Sequence, residues 1–359
     1  MGKEKQVRNR YKITNFAIYI MRKFKITALL AAAALGVLTI TGCGKTSSDN
    51  NSAGSGELEK VTFMLDWTPN TNHTGLYVAQ EKGYFEDAGL EVDIIECAEA
   101  GAEASVADGT ADFGVSFQDY LVPAFAAEED SRLPVTAVAT IIQHNTSGII
   151  SLKEEGIETP KNMENHTYAT WEMPIEQALI KKVVTDDGGD YDKIELIPTA
   201  VEDIKAALSS TIDTVWIYYA WDGIACEVQG MDTNFFYFKD YSPELDEYSP
   251  VIIANNDFLK NKPETARKFL EAVSKGYNFA IENPDEAAEI LVNANEGLDL
   301  ELCKASQNWL ADQYTADADK WGVIDQKRWD AFFGWVYDNN LCDIDIPDGF
   351  GFTNDYLPE

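Results

Sequence analysis

The chain has 359 residues, a formal net charge of −33 at pH 7 and a hydrophobic content of 45%. So acidic a surface argues against nucleic acid and anionic lipid as partners, because both are also negatively charged. The chain is too long for one small core and suits two lobes. Its three histidines and five cysteines show no metal-ligand spacing, so we expect no metal and no cofactor.

The first 42 residues predict a bacterial lipoprotein signal peptide. Residues 21–25 are basic, residues 26–38 are apolar, and Gly42 precedes Cys43. The apolar run is shorter than the ~20 residues that a membrane span requires. We therefore expect cleavage before Cys43 and acylation of its thiol, palmitate included, which would anchor the protein at the extracytoplasmic face of the cell membrane.

Residues 43–59 are rich in Ser, Asn, Gly and charge and predict a flexible tether. The basic and apolar leader pattern begins at Met21, which we favour over Met1 as the start of the protein.

The folded part opens with alternating strand and helix patterns. Apolar runs predict strands at 61–65, 91–96, 111–115 and 214–219. Helix or helix-turn patterns occupy 75–82, 102–108 and 206–213, and a further helix is expected to begin at 116–119. This alternation predicts an α/β fold with mostly parallel sheets, and its repetition predicts two lobes built alike.

One stretch carries the narrowest functional motif. The first strand ends at Leu65 and is followed by Asp66-Trp67-Thr68-Pro69-Asn70 and then His73. Open α/β sheets bind ligands at the carboxyl ends of their strands. Trp67 offers a stacking face there, and the carboxylate, amide and imidazole groups offer hydrogen bonds. The stretch therefore predicts one wall of a small-molecule pocket.

The same residues resemble a known family. Asp66-Trp67-Thr68-Pro69-Asn70, His73 and the run Tyr77–Phe85 are similar to the opening of the thiamine-pyrimidine-precursor (formylaminopyrimidine) binding family, and the similarity extends over about residues 61–293. That family includes solute-binding lipoproteins of ABC importers and the fungal-type enzyme that makes the thiamine pyrimidine. The Gln-x-Lys-Gly-Tyr-Phe element at 80–85 is shared with sulfonate- and nitrate-binding relatives.

The resemblance implies a two-lobed, periplasmic-binding-protein-like (type II) fold with a ligand cleft between the lobes. Lobe 1 would contain residues 60–145 and 255–359, and lobe 2 residues 150–250. Apolar segments such as 135–142, 149–152 and 251–254 would cross between the lobes, with the hinge near 145–150 and 250–255. The resemblance also implies a monomer that captures a thiamine-related pyrimidine and delivers it to an ABC permease with its ATPase.

An aminopyrimidine is flat and presents ring-nitrogen acceptors beside an amino donor. It calls for aromatic faces and for carboxylates or amides in the ring plane, although a single aromatic residue is more often part of a core. Glu172 and Glu227 are candidates for in-plane hydrogen bonds that we favour less than Asp66 and Glu176. The expected ligand-binding residues are Asp66, Trp67, Asn70, His73, Tyr77, Gln118, Trp171, Glu176, Tyr218, Tyr219, Trp221 and Asp222.

Other functions remain open. The same receptor could bind riboflavin, a sulfonate or another small heterocycle, but aromatic and acidic candidate positions disfavour an anion. The fungal-type enzyme would use a histidine matching His73 and a pyridoxal-phosphate lysine. We expect no enzymatic activity, because no lysine matches and residues 246–251 lack that enzyme's cysteine-rich cluster. A scaffold lipoprotein without a ligand is the third alternative.

The C-terminal part predicts helices at 263–281 and 284–292, each opened by a proline. The aromatic residues between 309 and 335 are expected to pack in the core rather than bind ligand. Cys97, Cys226, Cys303 and Cys342 are expected as small hydrophobic residues, and the sequence leaves open whether two of them form a disulfide.

Overall fold

The structure is a computed structural model that describes residues 58–201 and 203–359. The predicted signal peptide, the lipidation site Cys43 and the tether up to residue 57 lie outside the described residues. The strands are β1 Glu59–Met64, β2 Leu90–Ile95, β3 Phe113–Ser116, β4 Val135–Thr140, β5 Ser147–Leu152, β6 Thr167–Thr170, β7 Glu195–Pro198, β8 Thr214–Tyr218, β9 Thr233–Tyr237 and β10 Val251–Asn255. The helices are α1 Thr74–Glu81, α2 Tyr84–Asp87, α3 Ala102–Ala107, α4 Val122–Phe125, α5 Pro174–Asp186, α6 Ile204–Leu208, α7 Ile224–Val228, α8 Asn256–Asn261, α9 Pro263–Glu282, α10 Pro284–Ala294, α11 Leu300–Ala311 and α12 Gln326–Asp338.

The strands form two five-stranded sheets, in the orders β2-β1-β3-β10-β4 and β7-β6-β8-β5-β9. This confirms the α/β class. Strands from 59–140 and 251–255 build the first sheet, and strands from 147–237 build the second. Segments 141–146 and 238–250 connect the two sheets. Residues 147–150 and 251–255, which we assigned to the hinge, lie in strands β5 and β10.

The expectation of mostly parallel sheets was wrong. Four strand pairs are parallel and four are antiparallel. The antiparallel pairs all involve β5 or β10, the two strands that arrive directly from the other sheet. Such a strand enters at the edge where the parallel strands end, and it therefore runs against both of its neighbours.

Helix α9 closes one face of the first sheet through Phe269. Its ring lies 4.3 Å from that of Phe113, 5.9 Å from that of Phe63 and 5.6 Å from that of Phe85, measured between ring centroids. All four side chains are buried. This aromatic stack therefore joins strands β1 and β3 to helices α2 and α9 in one core.

Helices α1 and α9 touch through their backbones. A Cβ atom on Gly276 would lie 1.9 Å from the carbonyl oxygen of Gly75, and one on Gly75 would lie 2.4 Å from the ring of Tyr277. The Tyr277 hydroxyl also donates to the carbonyl oxygen of Asn72 at 2.7 Å. Helix α1 and the residues just before it are thus fixed against α9.

The helix expected to begin at 116–119 starts later. Ser116 is the last residue of β3, and α4 begins only at Val122. The side chain of the buried Gln118 explains the difference: its Nε2 donates to the carbonyl oxygen of Trp329 at 2.7 Å, and its Oε1 accepts from the backbone N–H of Tyr248 at 3.0 Å. These long-range hydrogen bonds hold a turn where local propensity favours a helix.

The C-terminal aromatic residues are core residues, as expected. Trp321, Trp329, Phe332, Phe333 and Trp335 are buried, and Trp309 is half-buried. The four described cysteines are free thiols, two of them buried and two half-buried. Among the helices of the described residues, none combines the length and the apolar character needed to cross a membrane.

The two connecting segments are joined by His144. Its Nδ1 lies 2.7 Å from a carboxylate oxygen of Asp246, and its Nε2 lies 3.0 Å from one of Asp317. His144 belongs to segment 141–146 and Asp246 to segment 238–250. The imidazole therefore ties both connections to the C-terminal part of the chain.

Candidate functional site

A pocket of about 420 Å³ lies at the carboxyl ends of β1 and β2. Its lining residues are Asp66, Trp67, Thr68, Glu96, Cys97, Ala98, Glu99 and Gly101. We predicted the part that follows β1 but not the part that follows β2. The rule that places ligands at the carboxyl ends of parallel strands applies equally to β2 and would have identified residues 96–101.

The loop of residues 66–73, here the Trp67 loop, is held by its own polar side chains. Asp66 Oδ1 lies 2.7 Å from His73 Nε2, and His73 Nδ1 accepts the backbone N–H of Asn70 at 3.2 Å. Because Nδ1 accepts, Nε2 must carry the proton that is donated to Asp66. Asn70 in turn caps the short turn Thr71–His73, since its Oδ1 accepts the N–H of Asn72 at 2.9 Å.

These contacts give the residues of the Trp67 loop different roles. His73 is fully buried, whereas the indole of Trp67 is 69% exposed. Exposed tryptophan is unusual, because a large apolar ring is stabilised by burial. The polar residues expected to bind ligand thus brace the loop, and the tryptophan is what the loop presents.

Residues 170–173, here the Trp171 loop, repeat this arrangement in the second sheet. The buried Glu176 accepts four hydrogen bonds, from the hydroxyls of Tyr168 and Thr170 and from the backbone N–H groups of Trp171 and Met173, at 2.7 to 3.2 Å. Trp171 is 46% exposed and lies 5.4 Å from the ring of Trp216. A carboxylate again braces a loop that follows a parallel strand and presents a tryptophan.

Two acidic side chains, Asp119 and Glu247, form a second cluster that we call the acid pair. Asp119 follows β3, and Glu247 lies in connecting segment 238–250. Burial raises the pKa of Asp119 to about 7. Burial, reinforced by the charge of Asp119, raises the pKa of Glu247 well above its usual value. Burial thus favours the protonated form of both carboxyl groups.

The acid pair also has unused hydrogen-bonding capacity. Within the described residues, Glu247 Oε2 and Ser147 Oγ are buried without a hydrogen-bond partner. Buried polar atoms are nearly always paired, so each orphan needs an explanation, and a ligand is one. Asn145 holds the backbone at this place, since its Oδ1 accepts the Ser147 N–H at 2.8 Å and its Nδ2 donates to the carbonyl oxygen of Leu245 at 2.9 Å.

Aromatic rings from both sheets surround the acid pair. The ring of Phe117, after β3, lies 5.7 Å from that of Tyr218 at the end of β8 and 5.3 Å from that of Tyr120. Desolvation and the charges of Asp119, Glu103 and Asp66 raise the pKa of Tyr120 to about 12. Tyr120 is 57% exposed, and the charges of both Asp66 and Asp119 act on its hydroxyl.

The other expected ligand residues lie elsewhere. Tyr219, Trp221 and Asp222 belong to a π-helical turn, Tyr219–Gly223, whose Ala220 carbonyl accepts a hydrogen bond from Ser306 of α11. The Tyr219 hydroxyl bonds to Glu227, and burial raises the pKa of Asp222 to about 6. Tyr77 is buried in α1, Gln118 is buried beneath the turn after β3, and Glu172 is exposed in the Trp171 loop.

Two α/β sheets joined by two connecting segments, each with a loop that presents an exposed tryptophan after a parallel strand, are typical of a two-lobed solute-binding protein. The family model "NMT1/THI5 like" matches residues 70–287. The chain belongs to this family.

Three comparisons place the chain among known proteins. It is 30% identical over 323 residues to the formylaminopyrimidine-binding protein of Halalkalibacterium halodurans. This alignment covers 88% of this chain and 94% of that protein. It is 24% identical over 246 residues to the 4-amino-5-hydroxymethyl-2-methylpyrimidine phosphate synthase THI11 of Saccharomyces cerevisiae, covering 64% and 69%. The structure of the periplasmic sulfonate-binding protein SsuA from Methylobacillus flagellatus KT matches with a TM-score of 0.62 at 16% identity, over 84% of this chain and 93% of that one.

The structural match confirms the periplasmic-binding-protein fold that the sequence predicted. The relatives include both a binding protein and named synthases.

Proposed function

We propose that the protein is the substrate-binding lipoprotein of an ABC importer and that it captures a thiamine-related aminopyrimidine between its two lobes. The acid pair is the observation that carries the ligand assignment. A protonated carboxyl group offers an O–H donor beside a C=O acceptor, and an aminopyrimidine offers a ring-nitrogen acceptor beside an N–H donor. The two groups therefore match in a pair of hydrogen bonds.

The charge of the cleft supports a neutral ligand over a sulfonate. The pocket lining contains three carboxylates, from Asp66, Glu96 and Glu99, and no Lys or Arg. Anions call for cationic or amide-rich sites. Trp67 and Trp171 would supply apolar faces for a flat ring when the lobes close.

The proposed role also assigns the hinge, the lobes and the membrane anchor to parts of the chain. The hinge lies in segments 141–146 and 238–250, and the lobes correspond to the two sheets with their packed helices. Acylated Cys43 anchors a monomer at the extracytoplasmic face, where it meets the permease and its ATPase. The buried state of His73 supports a binding role over the synthase activity of the fungal relatives, because a reactant histidine must reach its substrate.

Calorimetric titration of the full chain in detergent tests this proposal. The ligands are formylaminopyrimidine, hydroxymethylpyrimidine, thiamine, riboflavin and an aliphatic sulfonate. We expect one pyrimidine to bind with 1:1 stoichiometry and the sulfonate not to bind. Binding of the sulfonate, or the absence of binding by both pyrimidines, would refute the ligand assignment. Mass spectrometry of the N-terminal peptide, with Cys43→Ala as control, tests the lipid anchor.

A further inference from the structure

We propose that Glu155, His166 and Asp213 form a zinc-binding site on the second sheet, at the edge opposite the Trp171 loop. One imidazole nitrogen and two carboxylate oxygens from these residues all lie within 4.8 Å of one another. A mixed set of nitrogen and oxygen ligands suits Zn²⁺, whereas Mg²⁺ and Ca²⁺ prefer oxygen ligands alone.

The sheet topology brings the three residues together. His166 precedes β6 and Asp213 precedes β8, and these two strands are parallel neighbours. Strand β5 runs antiparallel to β8, so its carboxyl end lies at the same edge, and Glu155 follows it in the turn Lys153–Glu155. The three residues are too far apart in sequence to form a metal motif, which is why the sequence led us to expect no metal.

The distance between His166 and Asp213, which is that of a long hydrogen bond, also suits shared coordination of a metal ion. His166 Nδ1 lies 3.3 Å from Asp213 Oδ2 and 3.9 Å from Glu155 Oε2. Ligands bound to zinc at about 2.1 Å in a tetrahedron lie about 3.4 Å apart. A good N–H···O hydrogen bond is shorter, about 2.9 Å. Glu155, the most exposed of the three side chains, is the one that would move to complete the coordination.

The other two histidines make short hydrogen bonds instead. His73 Nε2 lies 2.7 Å from Asp66, and His144 Nδ1 lies 2.7 Å from Asp246, both within strong hydrogen-bond range. His144 also meets Asp317, but through its other ring nitrogen. Of the three histidines in the chain, only His166 has two carboxylates converging on one nitrogen.

Supporting contacts hold one ligand in place. Asp213 Oδ2 accepts the backbone N–H of Thr167 at 2.8 Å, and the Asp213 N–H donates to Thr167 Oγ1, also at 2.8 Å. Such outer contacts orient the ligands of metal sites. All three side chains are partly exposed, so an ion has access and a water molecule can occupy the fourth position.

The site would act apart from the ligand cleft. The four residues of β6, a length of roughly 13 Å, lie between His166 and Trp171. Zinc would join the ends of β5, β6 and β8 and stabilise the second sheet without touching the ligand.

Metal titration of the full chain in detergent, after treatment with a chelator, tests the proposal. Co²⁺ is the spectroscopic probe, because tetrahedral coordination gives visible absorption, and Zn²⁺ affinity follows from competition with a chromophoric chelator. We expect one Zn²⁺ per chain and a rise in Tm on binding. Glu155→Gln and His166→Gln should each weaken the affinity at least about tenfold. The adjacent exposed Glu154→Gln, and His144→Gln, should leave it unchanged.

Glu155→Gln guards against loss of folding, because this side chain is exposed. No stoichiometric Zn²⁺ binding, or binding that His166→Gln and Glu155→Gln leave unchanged, would overturn the proposal. Repeating the pyrimidine titration with and without Zn²⁺ separates the two proposals, since we expect the same pyrimidine affinity in both conditions.

Discussion

His73 donates its Nε2–H to Asp66 across 2.7 Å, and the pair fixes the turn that carries Trp67. Removing the imidazole in His73→Ala would leave a cavity and an unpaired Asp66 carboxylate. We expect the free energy of unfolding to fall by about 1–3 kcal/mol and the pyrimidine affinity to fall with it. Urea denaturation and calorimetry measure the two effects. Unchanged stability would contradict the bracing role.

Replacing either exposed tryptophan should reduce ligand affinity without reducing stability, unlike the replacement of His73. Trp67→Ala and Trp171→Ala remove rings that are 69% and 46% exposed, so the unliganded protein should keep its stability to within about 0.5 kcal/mol. Ligand affinity should drop at least about tenfold in each, because the stacking face is lost. Tyr337→Ala, an exposed aromatic residue of α12, is the control and should change neither quantity. Equal loss of affinity in the control would refute the assignment.

Glu176→Gln tests the brace of the Trp171 loop with almost no change in volume. One of the two carboxylate oxygens becomes an amide nitrogen. This nitrogen cannot accept the hydrogen bonds that the neighbouring O–H and N–H groups donate to the oxygen. We expect a loss of about 1.5–3 kcal/mol in the free energy of unfolding. The pyrimidine affinity should fall as well, because the loop no longer holds Trp171. A variant that is destabilised but binds normally would show that the loop does not touch the ligand.

Asp119 predicts a defined dependence of stability on pH. Its pKa rises from 3.8 to about 7 on folding, so between these values the folded protein holds a proton that the unfolded chain releases. Stability should therefore fall as pH rises through this window. Asp119→Asn removes that slope and should be more stable than the native protein at pH 8, by more than about 1 kcal/mol. Unfolding curves at several pH values provide the measurement.

The same substitution bears on ligand binding. An asparagine amide presents an N–H donor beside a C=O acceptor at every pH, as the protonated carboxyl group does only below its pKa. If the acid pair binds the pyrimidine, affinity should decline above pH 7 in the native protein and stay level in Asp119→Asn. The same decline in both proteins would exclude Asp119 from recognition.

Gly276 marks the contact of α1 with α9 and gives a stability test with a matched control. Gly276→Ala would force a methyl group against the Gly75 carbonyl and should cost about 1–3 kcal/mol. Gly334 lies in α12 with open space where a Cβ would be placed, so Gly334→Ala should stabilise by up to about 1 kcal/mol. Thermal unfolding of the two variants should shift in opposite directions.

The sequence predicted those features that depend on local pattern. The apolar run before Asp66, the glycine that ends α1 and the proline that opens α9 are each visible within a few residues. The acid pair was not predicted, because Asp119 and Glu247 are distant in sequence and only the fold makes them neighbours. Gln118 was expected in a helix because its partners, Tyr248 and Trp329, lie far along the chain.

The candidate site shows the same limit. Trp67 and Trp171 follow strands and could be selected from the sequence, but the bracing roles of His73 and Glu176 depend on burial. A polar residue beside a predicted cleft can face the ligand or support the loop. The sequence pattern does not distinguish these two roles, whereas the hydrogen-bond partners in the structure do.

Strand β10 lies between β3 and β4, although residues 141–250 separate it from them in the chain. The second sheet uses one continuous segment, 147–237, whereas the first stays open at its centre until β10 is in place. During synthesis from the amino end, the chain can therefore complete the second sheet before the first. Folding intermediates should carry a finished second sheet and a first sheet whose edges at β3 and β4 are still free to pair wrongly.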